Sequence, residues 1–151
     1  MSGKRRSEAQ RWFRQSLYDL EAVRWNIQGG FYEQACFLAQ QAGEKALKAL
    51  LYYLGARRKA LLTHSLWEMV REVAKQVPEL DAIARPARHL DLHYIPSRYP
   101  NGLPDGYPHI FYDKEMAENA LESSETIVQT VREFFLRRGE EEIAGSEPSA
   151  A

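Results

Sequence analysis

Arg88 and His93 stand with four residues between them, and an arginine and a histidine suffice to cleave RNA without a metal. The imidazole would move a proton at the 2′-hydroxyl or the leaving oxygen, and the guanidinium would hold the phosphate. Five helical positions turn a side chain by roughly 140°. The pair therefore shares a cleft only where the helix ends or bends, or where a second subunit completes the site. The plainer alternative pairs Arg88 with Asp91 and leaves His93 structural. His89 and His93, one turn apart, have a zinc-chelating spacing. However, Leu90 occupies the position of the metalloprotease glutamate, and Asp91 and the distant His109 are the only third ligands at hand. No metal and no cofactor are expected.

Two further sets carry charge. Ser97-Arg98-Tyr99-Pro100 places an arginine among tyrosines. Arg98 is suited to bidentate phosphate binding, and Tyr94, Tyr99 and Tyr107 to stacking on a base. The competing reading ties Arg98 to helix carboxylates and packs the tyrosines on the bundle end. Gln41, Glu44, Lys45 and Lys48 interrupt an apolar helix. Glu44 and Lys48 are an i,i+4 pair in the favourable order, and Lys45 is placed to lean toward the tyrosine-rich segment and supply positive charge. Lys45, Lys48, Arg88 and Arg98 are the candidate phosphate contacts. A Gly-rich phosphate loop, a Ser–His–Asp order and a zinc cysteine cluster are all missing from the sequence.

The elements that must position these residues are helices. Ala9, Trp12, Phe13, Ser16, Leu20, Val23 and Ile27 recur at three- and four-residue steps over 7–27, with Ser7 and Gln10 fitting a capping box and Gly29-Gly30 ending the run. A second helix spans 31–54, its alanines implying close approach to a neighbour. Gly55 stops it, and Arg57-Arg58-Lys59 form a basic connection. A third helix covers about 63–77, with Ser65 and Glu68 as another capping box. A fourth, 79–94, contains Pro86, which predicts a kink or two short helices. Prolines 96, 100, 104 and 108 exclude a helix over 95–112, yet its aromatic content predicts an ordered, packed loop. The last helix runs over 113–138 with Asp113 as N-cap. The fold class is all-α: an antiparallel up-and-down four-helix bundle, a short extra helix and a long Pro/Tyr-rich loop before the last helix. Residues 1–138 form one domain, and 139–151 read as a flexible acidic tail.

The 151 residues, 44% hydrophobic and 27% charged, are enough for one core without staples. No apolar run approaches the ~20 residues of a membrane span, and the basic start lacks the apolar stretch of a secretory signal. One cysteine, Cys36, excludes an internal disulfide and reads as a small buried side chain. A cytoplasmic protein is expected. Residues 113–147 carry ten acids and four bases, so the body before them is mildly basic, which permits an anionic ligand.

Several segments together resemble the HEPN family (higher eukaryotes and prokaryotes nucleotide-binding domain). Gln40-Gln41-Ala42-Gly43-Glu44-Lys45-Ala46-Leu47-Lys48-Ala49-Leu50-Leu51 is similar to its second helix, and Thr63-His64-Ser65-Leu66 to the start of its third. The stretch from Leu90 through His93-Tyr94-Ile95-Pro96-Ser97-Arg98-Tyr99-Pro100 resembles its most recognisable segment. The opening helix, with Asp19-Leu20 and the Gly30-Phe31-Tyr32 turn, is similar too, and the likeness extends over about residues 8–137. It implies a helical bundle, usually homodimeric, in some members nucleotide-binding and often paired with a minimal nucleotidyltransferase in toxin–antitoxin or related systems. Other members are metal-independent ribonucleases with an arginine, four to six residues, then a histidine. Arg88 and His93 match that spacing, although His89 follows the arginine where those branches often place asparagine, and Asn101 replaces an aspartate common after Tyr-Pro. The first expectation is thus a nucleotide- or phosphate-binding interaction domain. The alternatives are a ribonuclease toxin using Arg88 and His93, and a purely structural protein-docking module.

Overall fold

Helix α1 (Gly3–Gly29) starts ahead of the expected position because Ser2, not Ser7, is its cap: the Ser2 hydroxyl accepts from the Arg5 amide. Gly30, at φ 80°, ends it in the left-handed region, where a glycine bears no Cβ penalty. The turn leads straight into α2 (Tyr32–Leu54), which lies antiparallel along α1. Residues 2–145 are described by this computed structural model, and among them no strand occurs.

Helix α2 is the centre of the bundle. Ala35, Ala39, Ala42, Ala46 and Ala49 are fully buried, and these small side chains let α1 and α7 (Lys114–Arg137) approach closely on either side. Gly43 does the same for the remaining face. A Cβ there would lie 2.7 Å from Leu66 Cδ2 and 3.1 Å from Leu90 Cδ1, so only glycine lets the two helices that carry these leucines close onto α2. At one end of the core, Phe13, Tyr53, Phe134 and Phe135 pack edge to face.

The fourth side of the bundle is divided. The expected basic connection contains a short helix, α3 (Arg58–Leu62), and α4 (Leu66–Ala74) is shorter than the expected 63–77. Ser65 caps α4 as expected, accepting from the Glu68 amide. Asp91, at the end of α5 (Ala84–Asp91), is a second cap. It accepts from the Leu66 and Trp67 amides at 2.7 and 3.1 Å and from the Ser65 hydroxyl. The Arg88–Asp91 pair considered from sequence is thereby excluded, because the carboxylate serves orphan helix amides instead. Pro86 acts as expected: a 3-10 turn over Pro78–Ile83 precedes α5, and the proline sits in the first turn of α5, where its missing N–H costs no bond.

The 95–112 segment is ordered by local bonds. The Ser97 hydroxyl donates to the His93 carbonyl, Arg98 Nε donates to the Tyr94 carbonyl at 2.8 Å, and α6 (Pro108–Phe111) is fastened to α2 by His109 against Glu33 at 3.0 Å. Asp113 then caps α7, accepting from the Met116 amide. The expected flexible tail does not begin at 139. Helix α8 (Glu141–Ala144) buries Ile143 and Ala144 against α1 and α7, and Arg14 and Arg132 donate to the Glu142 and Gly145 carbonyls. Buried apolar surface outweighs the acidic run there. The rest of that expectation, 146–151, lies outside the described residues.

Candidate functional site

The polar residues of α2 divide between two faces. Lys45 turns toward α1, where its ammonium meets Asp19 at 2.5 Å, and Gln15 holds the other oxygen of that carboxylate. It does not lean toward the 94–112 loop. Lys48 is buried, 3.4 Å from Glu44 and 5.3 Å above the Trp12 ring. Both lysines are therefore engaged with carboxylates of their own chain.

Glu44 opens a chain of contacts in the other direction. Its Oε1 lies 3.1 Å from His64 Nδ1, and because a carboxylate only accepts, Nδ1 carries the proton. Gln40 donates to the same carboxylate and to the His64 carbonyl. The His64 ring stacks on Tyr94, with centroids 5.1 Å apart and planes 18° apart. Tyr94 in turn supports Arg98. The guanidinium of Arg98 sits 4.5 Å from the Phe37 centroid, 4.6 Å from Tyr94 and 5.0 Å from Tyr99. Its Nε is bonded to a backbone carbonyl, and among the described residues no carboxylate pairs with it. The competing sequence reading, an arginine tied to helix carboxylates, does not describe this geometry.

An arginine held in a ring of aromatic faces is oriented without being neutralised. Cation–π attraction fixes the plane of the fork, and the bond at Nε leaves the terminal nitrogens as donors. Tyr99 is 49% exposed beside it. Such a site can take an anion with an aromatic appendage. Tyr107, also exposed, lies further along the loop and is not one of the rings around Arg98.

Arg88 and His93 meet different neighbours. Arg88 is exposed, with its guanidinium 5.8 Å from the Trp67 ring on α4. His93 is partly buried, with Nδ1 3.1 Å from the Tyr112 hydroxyl and its ring tilted against that of Tyr112. Burial first, and the nearby His89 second, hold its pKa below the ordinary 6.5. Burial also pushes the Tyr112 phenol up to about 12, assisted by Cys36, and the buried Cys36 thiol is itself pushed up to about 12 by burial and then by the Asp113 and Glu33 carboxylates. Cys36 is thus the inert small side chain expected of it. Among the described residues no group of three metal-ligating side chains occurs, so His89 and His93 have no third ligand.

Sequence reasoning named Arg98, Tyr94 and Tyr99 but left out His64 and Phe37. The signal for His64 was present. Gln40 and Glu44 lie one turn apart on an otherwise buried helix face, and buried polar groups require partners from another element.

An up-and-down helical bundle, crossed at one end by a loop that carries an aromatic-caged arginine, is the class of protein these features define. The HEPN domain family matches residues 9–134, and the chain belongs to that family. Among solved structures it is similar to TT1696 from Thermus thermophilus, at 32% identity and a TM-score of 0.77, with 83% of this chain and 97% of that one covered. ST0689, an archaeal HEPN homologue, is 32% identical with a TM-score of 0.67, covering 84% and 97%. A HEPN domain protein from Thermotoga maritima, TM0613, is 27% identical with a TM-score of 0.66, covering 84% and 98%. No curated protein matches the chain significantly. Among the described residues no helix is long and apolar enough to cross a membrane.

Proposed function

We propose that this HEPN domain binds a nucleotide or another phosphate-bearing ligand at Arg98. It would act in the cytoplasm as a homodimer, with a minimal nucleotidyltransferase as partner. The observation that carries the reading is the Arg98 cage: a guanidinium fixed by Phe37, Tyr94 and Tyr99, without a carboxylate, at the end of the Glu44–His64–Tyr94 chain. Arg98 holds the phosphate and Tyr99 stacks on the base. Lys45 and Lys48 act at a distance, by keeping α2 in place. The test is a thermal-shift titration with ATP on wild type and Arg98→Ala. The melting temperature of the wild type should rise with ligand and that of the variant should not. A folded wild type that shows no shift at saturating millimolar ATP removes the reading.

A ribonuclease reading has one observation in its favour. The lowered pKa of His93 keeps its imidazole neutral at pH 7, the state a general base needs. Arg88 turns to Trp67 and His93 to Tyr112, so this chemistry requires a second chain to bring an arginine to His93. RNA cleavage that persists in EDTA and vanishes in His93→Ala would establish it.

A further inference from the structure

His64 is held on three sides and open on the fourth. Its Nδ1 donates to Glu44, its carbonyl accepts from Gln40, and its ring lies flat against Tyr94. The side chain is nevertheless 54% exposed, and among the described residues no group bonds Nε2. The carboxylate that orients it is buried and shared with Lys48. With Nδ1 committed as a donor, the lone pair of the neutral ring is on Nε2, and the one proton the side chain can gain goes there. An imidazole is the side chain that ordinarily makes this change between pH 5 and 8.

The charges around the ring leave such a proton free to attract an anion. From α2, Lys48 already offsets the charge of Glu44. From α5, Asp91 is spent on the Ser65 hydroxyl and the Leu66 and Trp67 amides, and from α4, Glu68 accepts from Thr63. From the loop come Tyr94 and Arg98, whose guanidinium lies 4.6 Å from the Tyr94 centroid. Tyr94 is thus a neighbour of both His64 and Arg98, and among the described residues no carboxylate pairs with the arginine.

We infer that His64 is a second, proton-dependent contact of the Arg98 site, so that a nucleoside di- or triphosphate binds with uptake of a proton and in preference to a monophosphate. The inference rests on Arg98 as a phosphate site and goes beyond it by naming the ligand class and the second contact. The terminal nitrogens of Arg98 grip one phosphate. The phosphate chain then crosses the edge of Tyr94 and brings the next phosphate to Nε2–H of His64. A bound anion favours the charged imidazole, so ligand and proton bind together. A monophosphate is held by the arginine fork alone and gains nothing from His64.

The test is isothermal titration calorimetry of the whole protein with ATP and with AMP at pH 8, 7 and 6, on wild type, His64→Gln and His64→Arg. The γ-phosphate of ATP also titrates in this range, but equally for every variant, so the ratio of dissociation constants is the readout. At pH 8 the wild type and His64→Gln should bind ATP alike. By pH 6 the wild type should bind it up to about fivefold more tightly, the range of a half-exposed ion pair. His64→Arg, charged throughout, should bind ATP more tightly than wild type at pH 8 and equally at pH 6. The two variants err in opposite directions, so a folding defect cannot imitate the pattern. Parallel pH profiles for wild type and His64→Gln, in a protein that binds ATP, would overturn the inference and leave Arg98 as the phosphate site. An equal effect of His64→Gln on AMP would overturn the selection of polyphosphates. Absence of ATP binding in the wild type at every pH would remove the Arg98 reading and this one with it.

Discussion

Lys48 and Arg98 are cations that the same helix, α2, helps to hold, and they have opposite fates. Lys48 is buried against Glu44, with its charge consumed by the fold. Arg98 is fixed by the rings of Phe37, Tyr94 and Tyr99 and keeps its charge available. A carboxylate orients a cation by neutralising it, whereas aromatic faces orient it while leaving its hydrogen-bond donors free. The difference separates a structural cation from a binding one more sharply than exposure does. The two are nevertheless joined, because Glu44 also holds His64, and His64 stacks under the ring that supports Arg98.

The largest effect expected from breaking this comparison is at Glu44. Glu44→Ala leaves the buried Lys48 ammonium without its partner, and such a loss costs about 3–5 kcal/mol. Urea denaturation should show it as a lower midpoint with an unchanged slope. Adding Lys48→Met should restore much of the loss, because the uncompensated charge is then gone. A double variant as unstable as the sum of both singles would show that the pair is not a unit.

Gly43 comes next. Gly43→Ala puts a methyl 2.7 Å from Leu66 and 3.1 Å from Leu90, and overpacking of this kind costs about 1–3 kcal/mol. Leu66→Val in the same background should recover part of it by withdrawing atoms from the clash. An unchanged midpoint in Gly43→Ala would mean that α4 slides away from α2 without penalty.

These residues also show what the sequence could convey. The 3.6-residue periodicity, the alanine stripe of α2, the caps at Ser65 and Asp113 and the break before Pro86 are local or follow from one helix's face, and they placed the bundle correctly. The partner of Lys45 was not legible, because Asp19 and the tyrosine loop are equally compatible with its position, and only the rotation of α2 against α1 decides between them. The role of Asp91 was hidden for a similar reason: it caps a helix that begins 25 positions earlier. The burial of Ile143 ran against an acidic composition, of which Glu140 pairs with Arg6 on α1 while Glu141 and Glu142 stay exposed. The caged state of Arg98 needed Phe37, which is distant in sequence and stands on α2, an element the loop's own residues do not name.

A smaller effect on stability, but a complete one on binding, is expected at the cage. Arg98→Ala removes contacts to partly exposed rings, so its melting temperature should fall by only a few degrees, about what a loss of 1 kcal/mol produces in a domain of this size. The ATP-dependent shift should vanish. His64→Ala provides the sharper version. It removes the ring under Tyr94 and leaves Arg98 itself intact, so ATP should still stabilise the protein but at higher concentration. Equal responses from His64→Ala and wild type would show that the Glu44 chain and the cage are independent.

The smallest effect is a pH dependence, and it tests the other side of the loop. His93 is held below its ordinary pKa by burial and by His89, so the folded state binds its proton less readily than the unfolded chain does. Its contribution to stability is therefore complete above about pH 6.5, where both states are neutral. As the pH falls below that value the unfolded chain takes up the proton first, and stability is lost until the folded-state pKa is passed. His93→Gln, which keeps a side chain able to bond the Tyr112 hydroxyl but cannot titrate, should flatten that part of the curve. His64 and His109, each beside a carboxylate, remain in both proteins, so the difference between the two urea midpoints from pH 7.5 downward isolates His93. A gap that stays constant with pH would mean that His93 titrates alike in the folded and unfolded chains. The neutral imidazole on which the ribonuclease reading depends would then lose its structural cause.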